Sequence, residues 1–199
     1  MAGQRNALLV LDMENEIVHP DGKFAAFGFA AQVEKRNVIP NTKKLIAAAR
    51  AAGVPVIYVH VAFEADYSDL IPKVPLFSGL PQAGALIEGT WGTEIHDELK
   101  PQPGDLVVRK RQVNPFIGTP LDQYLRKLGA ERVILAGCAT NFVVEASCRH
   151  AADLGFEVAI ASDCCSSLSD EAHDFTITNI LPMLSNQIAP AEEIIESLK

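Results

Sequence analysis

The chain has 199 residues, 48% of them hydrophobic, with a formal net charge of −8 at pH 7 and a pI near 5.1. A chain of this length can bury roughly 70% of its unfolded surface, so we expect one domain over residues 1–199. The acidic balance argues against partners that require a basic face, namely nucleic acid and anionic membrane surfaces. A small anionic substrate stays compatible, because one buried Lys or Arg can set the local field.

The cysteines and the apolar stretches bear on the compartment. There is no CxxC spacing, and two of the cysteines are adjacent, so we expect free thiols in a reducing cytosol. The four are Cys138, Cys148, Cys164 and Cys165. The N-terminal apolar run contains an acid and does not have the form of a signal peptide. No apolar stretch approaches the ~20 residues that span a bilayer, so we expect a cytoplasmic protein without a membrane partner.

Five short apolar runs alternate with helical patterns along the chain. They cover residues 7–13, 55–63, 105–112, 132–138 and 157–164. Most are apolar almost throughout, which is typical of parallel strands with helices on both faces. The repeated order of strand and helix predicts an α/β fold, a three-layer doubly wound, Rossmann-like domain with a mostly parallel sheet.

The sequence also predicts where several helices end and where two long segments interrupt the alternation of strands and helices. One helix is predicted from a cap at Asn41 to Gly53, and two others end at Gly129 and Gly155. A short strand near 186–190 and a last helix should follow. Residues 14–38 and 64–104 are long, Pro/Gly-rich interruptions, and loops of this length usually form binding walls. The aromatic residues in or beside these segments are candidates for the walls: Phe24, Phe27, Phe29, Phe63, Phe77 and Trp91.

Polar residues at the carboxyl ends of the predicted strands mark the expected ligand edge of the sheet, and Asp163 is expected there after the fifth strand. Asp12 ends the first strand, where burial would raise its pKa and suit it to proton transfer; it could equally be a cap or turn acid. Strand alternation separates Lys110 from Arg109 and Arg111. Lys110 could hold a carboxylate ionised and orient an anion, or belong to a solvated basic edge.

The stretch "GCATN", residues 137–141, follows the fourth strand. Gly137 permits an unusual backbone angle, and N–H groups at the start of the next helix favour negative charge. The turn therefore predicts an oxyanion-binding corner built from Ala139, Thr140 and Val143.

Three stretches together, "LLVLDMEN", "VVRKRQVNPFIGTPLD" and "VILAGCATNFVVEASC", resemble the isochorismatase-like superfamily, also called cysteine hydrolases. The resemblance implies that Asp12 is the catalytic acid and Lys110 the catalytic lysine. Glu14 stands where the superfamily usually has Gln. The position of the superfamily's nucleophilic cysteine falls on Val143. Resemblance to this superfamily also implies a homo-oligomer, either a dimer or a tetramer.

A valine cannot attack a substrate, so the resemblance favours chemistry without a covalent cysteine. Enzymes of the superfamily that hydrolyse the enol ether of isochorismate also lack that cysteine. We therefore expect a hydrolase that protonates a small, anionic enol ether through Asp12. Two alternatives stay open: an amide C–N hydrolase whose nucleophile is relocated to Cys138, and a non-catalytic protein that binds a small molecule.

The remaining predictions concern the pocket and cofactors. Pocket candidates are Phe24, Phe27, His60, Phe63, Trp91, Phe116, Cys138 and Asn141. The five histidines are dispersed without a paired ligand spacing, and neither GxGxxG nor a P-loop occurs. We expect a small-molecule substrate and no metal or other cofactor.

Overall fold

The computed structural model describes residues 5–71 and 73–198. Its centre is a six-stranded parallel sheet in the order β3-β2-β1-β4-β5-β6. The strands are β1 (Asn6–Leu11), β2 (Val56–Val61), β3 (Leu106–Lys110), β4 (Arg132–Cys138), β5 (Glu157–Ser166) and β6 (Gln187–Ala189). The chain builds the sheet outward from β1 to β3 and then returns to place β4 on the other side of β1. The predicted doubly wound α/β fold is confirmed, and strand order reverses between β1 and β4.

The helices pack on the two faces of this sheet. They are α1 (Asn15–Val18), α2 (Phe29–Lys35), α3 (Val38–Ala51), α4 (Leu80–Ala83), α5 (Leu121–Lys127), α6 (Glu145–Asp153), α7 (Asp170–Phe175) and α8 (Ala191–Glu196). A wide π-helical turn, Thr140–Val144, precedes α6. No helix within the described residues is long and apolar enough to cross a membrane.

Two local predictions need correction. Helix α3 begins at Val38, three residues before the predicted cap, and Asn41 lies in its first turn, where its amide donates to the backbone oxygen of Asp163 at 3.1 Å. Asp163 lies within β5 rather than after it. Its carboxylate accepts the N–H of Ala191 at 2.7 Å. Asp163 therefore joins β5 to α8 and takes part in the fold rather than ending a strand.

Alternation along β1 divides the core into two layers. Leu8 and Val10 pack in one layer with residues of α3 and α8. Leu9 and Leu11 pack in the other layer with residues of α5 and α6. Because both faces are covered, β1 and β4 have almost no solvent contact, which explains why their sequences are nearly continuously apolar.

The described parts of the two long segments, residues 14–38, 64–71 and 73–104, fold together as one cover. Glu16 is buried between them, accepts the backbone N–H of Leu86, and pairs with Lys23 at 3.2 Å. Gly92 packs so closely that a Cβ there would lie 2.4 Å from the Glu16 carboxyl carbon. The Glu16 carboxylate is thus one of several contacts that join the two segments, another being the Asn15 N–H, which donates to the backbone oxygen of Glu94 at 2.9 Å. We refer to the two segments together as the cover.

Candidate active site

A cavity of about 600 Å³ lies at the reversal point of strand order, between the sheet and the cover. The strands contribute Asp12, Lys110 and Cys138, and most other lining residues are apolar. Sites of this fold class form at this edge, because the loops beyond the strands leave a crevice there. The cavity is the candidate active site.

Asp12 directly follows β1 and is held in an uncommon backbone conformation. Its φ is 50°, in the left-handed region that non-glycine residues seldom occupy. Its N–H donates to the backbone oxygen of Val59 at 2.8 Å, which fixes the turn out of the strand. Backbone strain of this kind is found at functional sites, where surrounding contacts maintain it.

Lys110 ends β3 and forms a buried ion pair with Asp12. Its Nζ lies 2.8 Å from Asp12 Oδ2, and the two side chains are only 2% and 8% exposed. The same Nζ donates to the backbone oxygen of Gln112 at 3.0 Å. The structure therefore brings together the two residues that the sequence predicted as a catalytic pair.

The surroundings of Asp12 suit it to proton transfer. Burial raises its pKa from 3.8 to about 6, although the nearby Lys110 charge and hydrogen bond act in the opposite direction. The second carboxylate oxygen, Oδ1, is buried and has no hydrogen-bond partner among the described residues. Asp12 thus has one oxygen held by Lys110 and one oxygen available to another group.

Glu14 supplies a second buried carboxyl group next to this pair. Its Oε1 accepts the N–H of Val61 at 3.0 Å, whereas its buried Oε2 has no described partner. Burial, and then the negative charge of Asp12, raise the Glu14 pKa well above its usual value. Burial and the negative charge of Asp12 therefore both favour the protonated form of Glu14 over the ionised form.

The turn after β4 forms another part of the cavity wall. Gly137 has a φ of 144°, and a Cβ there would lie 1.9 Å from the backbone oxygen of Leu11, so only glycine fits. The next peptide bond, between Cys138 and Ala139, is cis. Ala139 and Val143 line the cavity. Ala139 and Val143 therefore share the cavity with Asp12 and Lys110, whereas Thr140, the third residue of the predicted oxyanion-binding corner, does not line it.

Comparison with known proteins identifies the family. The family described as "Isochorismatase domain" matches residues 6–192. The chain is 35% identical over 192 residues to the uncharacterized isochorismatase family protein YecD of Escherichia coli O157:H7, covering 96% of this chain and 95% of that protein. It is 33% identical over 198 residues to the uncharacterized family protein YwoC of Bacillus subtilis (strain 168), covering 98% and 95%.

A solved structure agrees with this result. An isochorismatase family protein from Desulfovibrio vulgaris superposes with a TM-score of 0.86 at 26% identity, covering 98% of this chain and 99% of that one. This chain belongs to the isochorismatase family. It is accordingly a hydrolase, and the geometry of its cavity bears on which reaction it performs.

In this isochorismatase-family protein, some of the predicted pocket aromatics line the cavity and others do not. Phe24, Phe27, Phe29 and Phe77 all line it. Phe63 lies in the core behind them, and its ring packs against Phe77 at 5.7 Å between centroids. Phe63 therefore supports the cavity wall without reaching the cavity.

His60 also lies away from the cavity, for a reason that strand geometry explains. In the register between β2 and β3, His60 pairs with Arg109 and Val61 pairs with Lys110. Val61 and Lys110 line the cavity. Alternation sends His60 to the opposite face. There its Nδ1 lies 3.2 Å from the backbone oxygen of Thr93, and burial lowers its pKa.

Four other predicted site residues make contacts elsewhere. Trp91 is 46% exposed and contacts His19 edge-to-face. Phe116 stacks on His150 in the core layer on the far side of the sheet. Asn141 accepts a hydrogen bond from Ser167. Thr140 is buried, with its hydroxyl 2.7 Å from His173 Nδ1.

Cys138 lines the cavity but has the surroundings of a structural thiol. It is 1% exposed, and its Sγ lies 2.9 Å from the hydroxyl of Ser166. Burial raises its pKa from 9.0 to about 12. A thiol of this kind is almost entirely protonated at neutral pH and is a weak nucleophile.

Sequence reasoning missed several residues that line the cavity. They are Ile17, Lys23, Val61, Leu76, Leu80, Leu86, Val113, Phe142 and Leu168, besides some small residues of the cover. Phe142 and Leu168 follow strand ends, so their positions carried a usable signal. The leucines of residues 64–104 show no period that would distinguish a cavity wall from ordinary packing.

Within residues 5–71 and 73–198, no group of three or more His, Cys, Asp or Glu side chains is arranged to hold a metal ion.

Proposed function

We propose that this protein hydrolyses a small molecule, of the enol ether type, by acid catalysis from Asp12 without a covalent cysteine intermediate. The observation that carries the proposal is the buried Asp12–Lys110 pair, at 2.8 Å, on a cavity whose facing wall contains Val143. Val143, in this proposal, stands at the position of the family nucleophile. Its side chain is buried and apolar and offers no nucleophilic atom.

The chemistry needs only a proton donor and water. Asp12 donates its proton to the vinyl carbon of the enol ether, and the adjacent carbon becomes an oxocarbenium ion. Water adds to that carbon and returns a proton to the Asp12 carboxylate. The resulting hemiketal breaks its C–O bond to give a carbonyl compound and an alcohol, so atoms and charges balance.

The pKa of about 6 supports this role for Asp12. An acid with that pKa is roughly one-tenth protonated at pH 7, far more than an ordinary aspartate. Lys110 stabilises the carboxylate that remains after proton transfer, which keeps Asp12 from becoming too weak an acid. With Lys110 beside it, Asp12 can therefore both donate a proton to the substrate and accept one from water.

The test is a turnover screen of isochorismate, aryl vinyl ethers and primary amides with the wild type and Asp12→Asn. We expect enol ether hydrolysis by the wild type and a loss of about 10²–10⁴-fold in kcat for the variant, the usual contribution of a general acid. The matched control is Asp153→Asn, because Asp153 is exposed at the end of α6. Equal turnover by wild type and Asp12→Asn would refute the proposal.

An amidase that uses Cys138 is the alternative function, since Cys138 lines the same cavity. Cys138→Ser distinguishes the two. The proposed acid catalysis predicts turnover within about threefold of the wild type, because the hydroxyl preserves the hydrogen bond to Ser166. Amide hydrolysis by the wild type that disappears in Cys138→Ser would support the amidase instead.

A further inference from the structure

The cavity has a lining whose charges are already paired within the protein. Among the described lining residues, the only cations are Lys23 and Lys110. Lys110 pairs with Asp12 at 2.8 Å, and Lys23 pairs with Glu16 at 3.2 Å. Neither ammonium is left uncompensated for a substrate anion, and Glu14 adds another buried carboxyl group near the first pair.

The rest of the lining is mostly apolar, and its apolar character continues to the surface. Five phenylalanines line the cavity: Phe24, Phe27, Phe29, Phe77 and Phe142. At its outer part, Phe27, Leu76 and Leu168 are 65%, 48% and 41% exposed. Large side chains of this kind exposed around a concave surface mark a ligand site more often than a fold requirement.

We propose that the substrate is a neutral molecule with an apolar, preferably aromatic, body. Its reactive C–O bond lies at the Asp12 end, and its body lies among the phenylalanines. This inference deepens the proposed function and rests on it for the position of the reactive bond. It also revises the anionic substrate expected from the sequence, because a carboxylate would lose hydration here without gaining an unpaired cation.

The volume agrees with a compact ligand of this class. A cavity of about 600 Å³ falls within the range of roughly 300–1,000 Å³ that is usual for small-molecule sites. Aromatic rings pack against such walls by offset or edge contacts, so a planar body gains more than a flexible chain of equal size.

A matched pair of probes tests the proposal: naphthalene-2-carboxamide, which is neutral, and naphthalene-2-carboxylate, which is an anion of nearly the same shape. Binding to the wild-type protein is measured by calorimetry at pH 7.5. We expect the carboxamide to bind at least about tenfold more tightly, because only the anion loses charge hydration. Equal or tighter binding of the carboxylate, or no saturable carboxamide binding up to millimolar concentration, would overturn the proposal.

A charge-gain variant sharpens the test. Leu168→Arg places a cation at the outer cavity wall and should raise carboxylate affinity several-fold, about fivefold or more, with little change for the carboxamide. The control is Met183→Arg, which makes the same charge change at a side chain that is 77% exposed and is not among the lining residues. Equal effects of both variants on carboxylate affinity would show that the cavity wall does not set the preference.

Asp12→Asn separates this inference from the proposed reaction. The variant leaves Lys110 without its anionic partner, so the affinity for the carboxylate should rise above that of the wild type. If the wild type binds the carboxamide more tightly than the carboxylate but turnover is unchanged in Asp12→Asn, the proposed function fails and the substrate class stands. If turnover falls in Asp12→Asn but the wild type binds the carboxylate more tightly than the carboxamide, the substrate class fails and the acid catalysis stands.

Discussion

The floor and the walls of the cavity differ in origin and in chemistry. The floor consists of Asp12 and Lys110, which line the cavity at the ends of β1 and β3, and of Glu14, which is buried beside them outside the lining. The walls come largely from the cover, and they are rich in Phe and Leu. The acid–base groups thus lie at strand ends, whereas most of the apolar lining lies in segments that can change without disturbing the strands.

Removing the cation from the floor should have the largest effect on stability. Lys110→Met leaves Asp12 buried without its partner, and breaking a buried pair in this way costs about 3 kcal/mol or more. The Asp12 pKa should rise above 6, because Lys110 lowers it in the wild type. Protonation of Asp12 removes the unpaired charge. The loss in unfolding free energy, measured by urea denaturation, should therefore be larger at pH 8 than at pH 5.

Lys127→Met is the control for this variant, since Lys127 is exposed on α5. It should change the free energy of unfolding by less than about 0.5 kcal/mol. A Lys110→Met loss that is the same at both pH values would contradict a charged partner at Asp12.

Glu14→Gln tests the second carboxyl group of the floor. The folded-state pKa of Glu14 is raised above 4.5, so the folded protein binds a proton that the unfolded chain releases. Wild-type stability should therefore fall as pH rises above 4.5 until the folded pKa is passed, with a slope of at most about 1.4 kcal/mol per pH unit from this group. Glu14→Gln removes that slope and should be more stable than the wild type at pH 7.

The measurement is the difference between the two unfolding free energies across pH 4 to 8. Turnover at pH 7 should stay within about threefold, because a neutral Glu and a Gln both accept the Val61 N–H. Glu171→Gln, at an exposed position of α7, is the control and should show no such difference. A pH-independent difference for Glu14→Gln would mean that Glu14 is ionised in the folded protein.

Val143→Cys probes the boundary between floor and walls. The change removes little volume, so the expected loss of stability is about 1 kcal/mol. Val143 lines the cavity, whereas Val144 is buried outside the lining, so Val144→Cys is the matched control. Mass spectrometry after brief iodoacetamide treatment should find a new adduct only in Val143→Cys. No adduct at residue 143 would contradict its position facing the Asp12–Lys110 pair.

A change in the walls should have the smallest effect on stability. Phe27→Ala should alter the free energy of unfolding by less than about 0.5 kcal/mol, because this side chain is 65% exposed. The same variant should weaken binding of the naphthalene carboxamide several-fold, since the ring lines the cavity. Unchanged binding together with unchanged stability would remove Phe27 from the site.

The same comparison explains how much the sequence could predict. Strand ends have positions set by the parallel sheet, so Asp12, Lys110 and the turn at Gly137 could be assigned to one edge from their order alone. The strand 132–138 was predicted with the bounds that the structure has. Alternation along the strands also implies that the side chains of His60 and Lys110 point to opposite faces of the sheet. That inference requires the register between β2 and β3, which the sequence does not give.

The walls could be predicted only as regions. Phe24, Phe27, Phe63 and Trp91 all belong to, or adjoin, the cover, yet only the first two line the cavity. Their positions depend on long-range contacts between the two segments, such as the one between Glu16 and Leu86, which are 70 residues apart in the chain. No local pattern encodes such a contact. Glu14 was noticed as a departure from Gln, but its burial and its nearness to Asp12 required the folded structure.

The most direct test of the central claim is a carbon-13 NMR titration of the Asp12 side-chain carboxyl in the folded wild-type protein, assigned with the help of Asp12→Asn. We predict a midpoint near pH 6 for the Asp12 carboxyl, because burial outweighs the stabilising charge of Lys110. A midpoint near 3.8, the value of an ordinary aspartate, would contradict a desolvated proton donor and the reaction built on it.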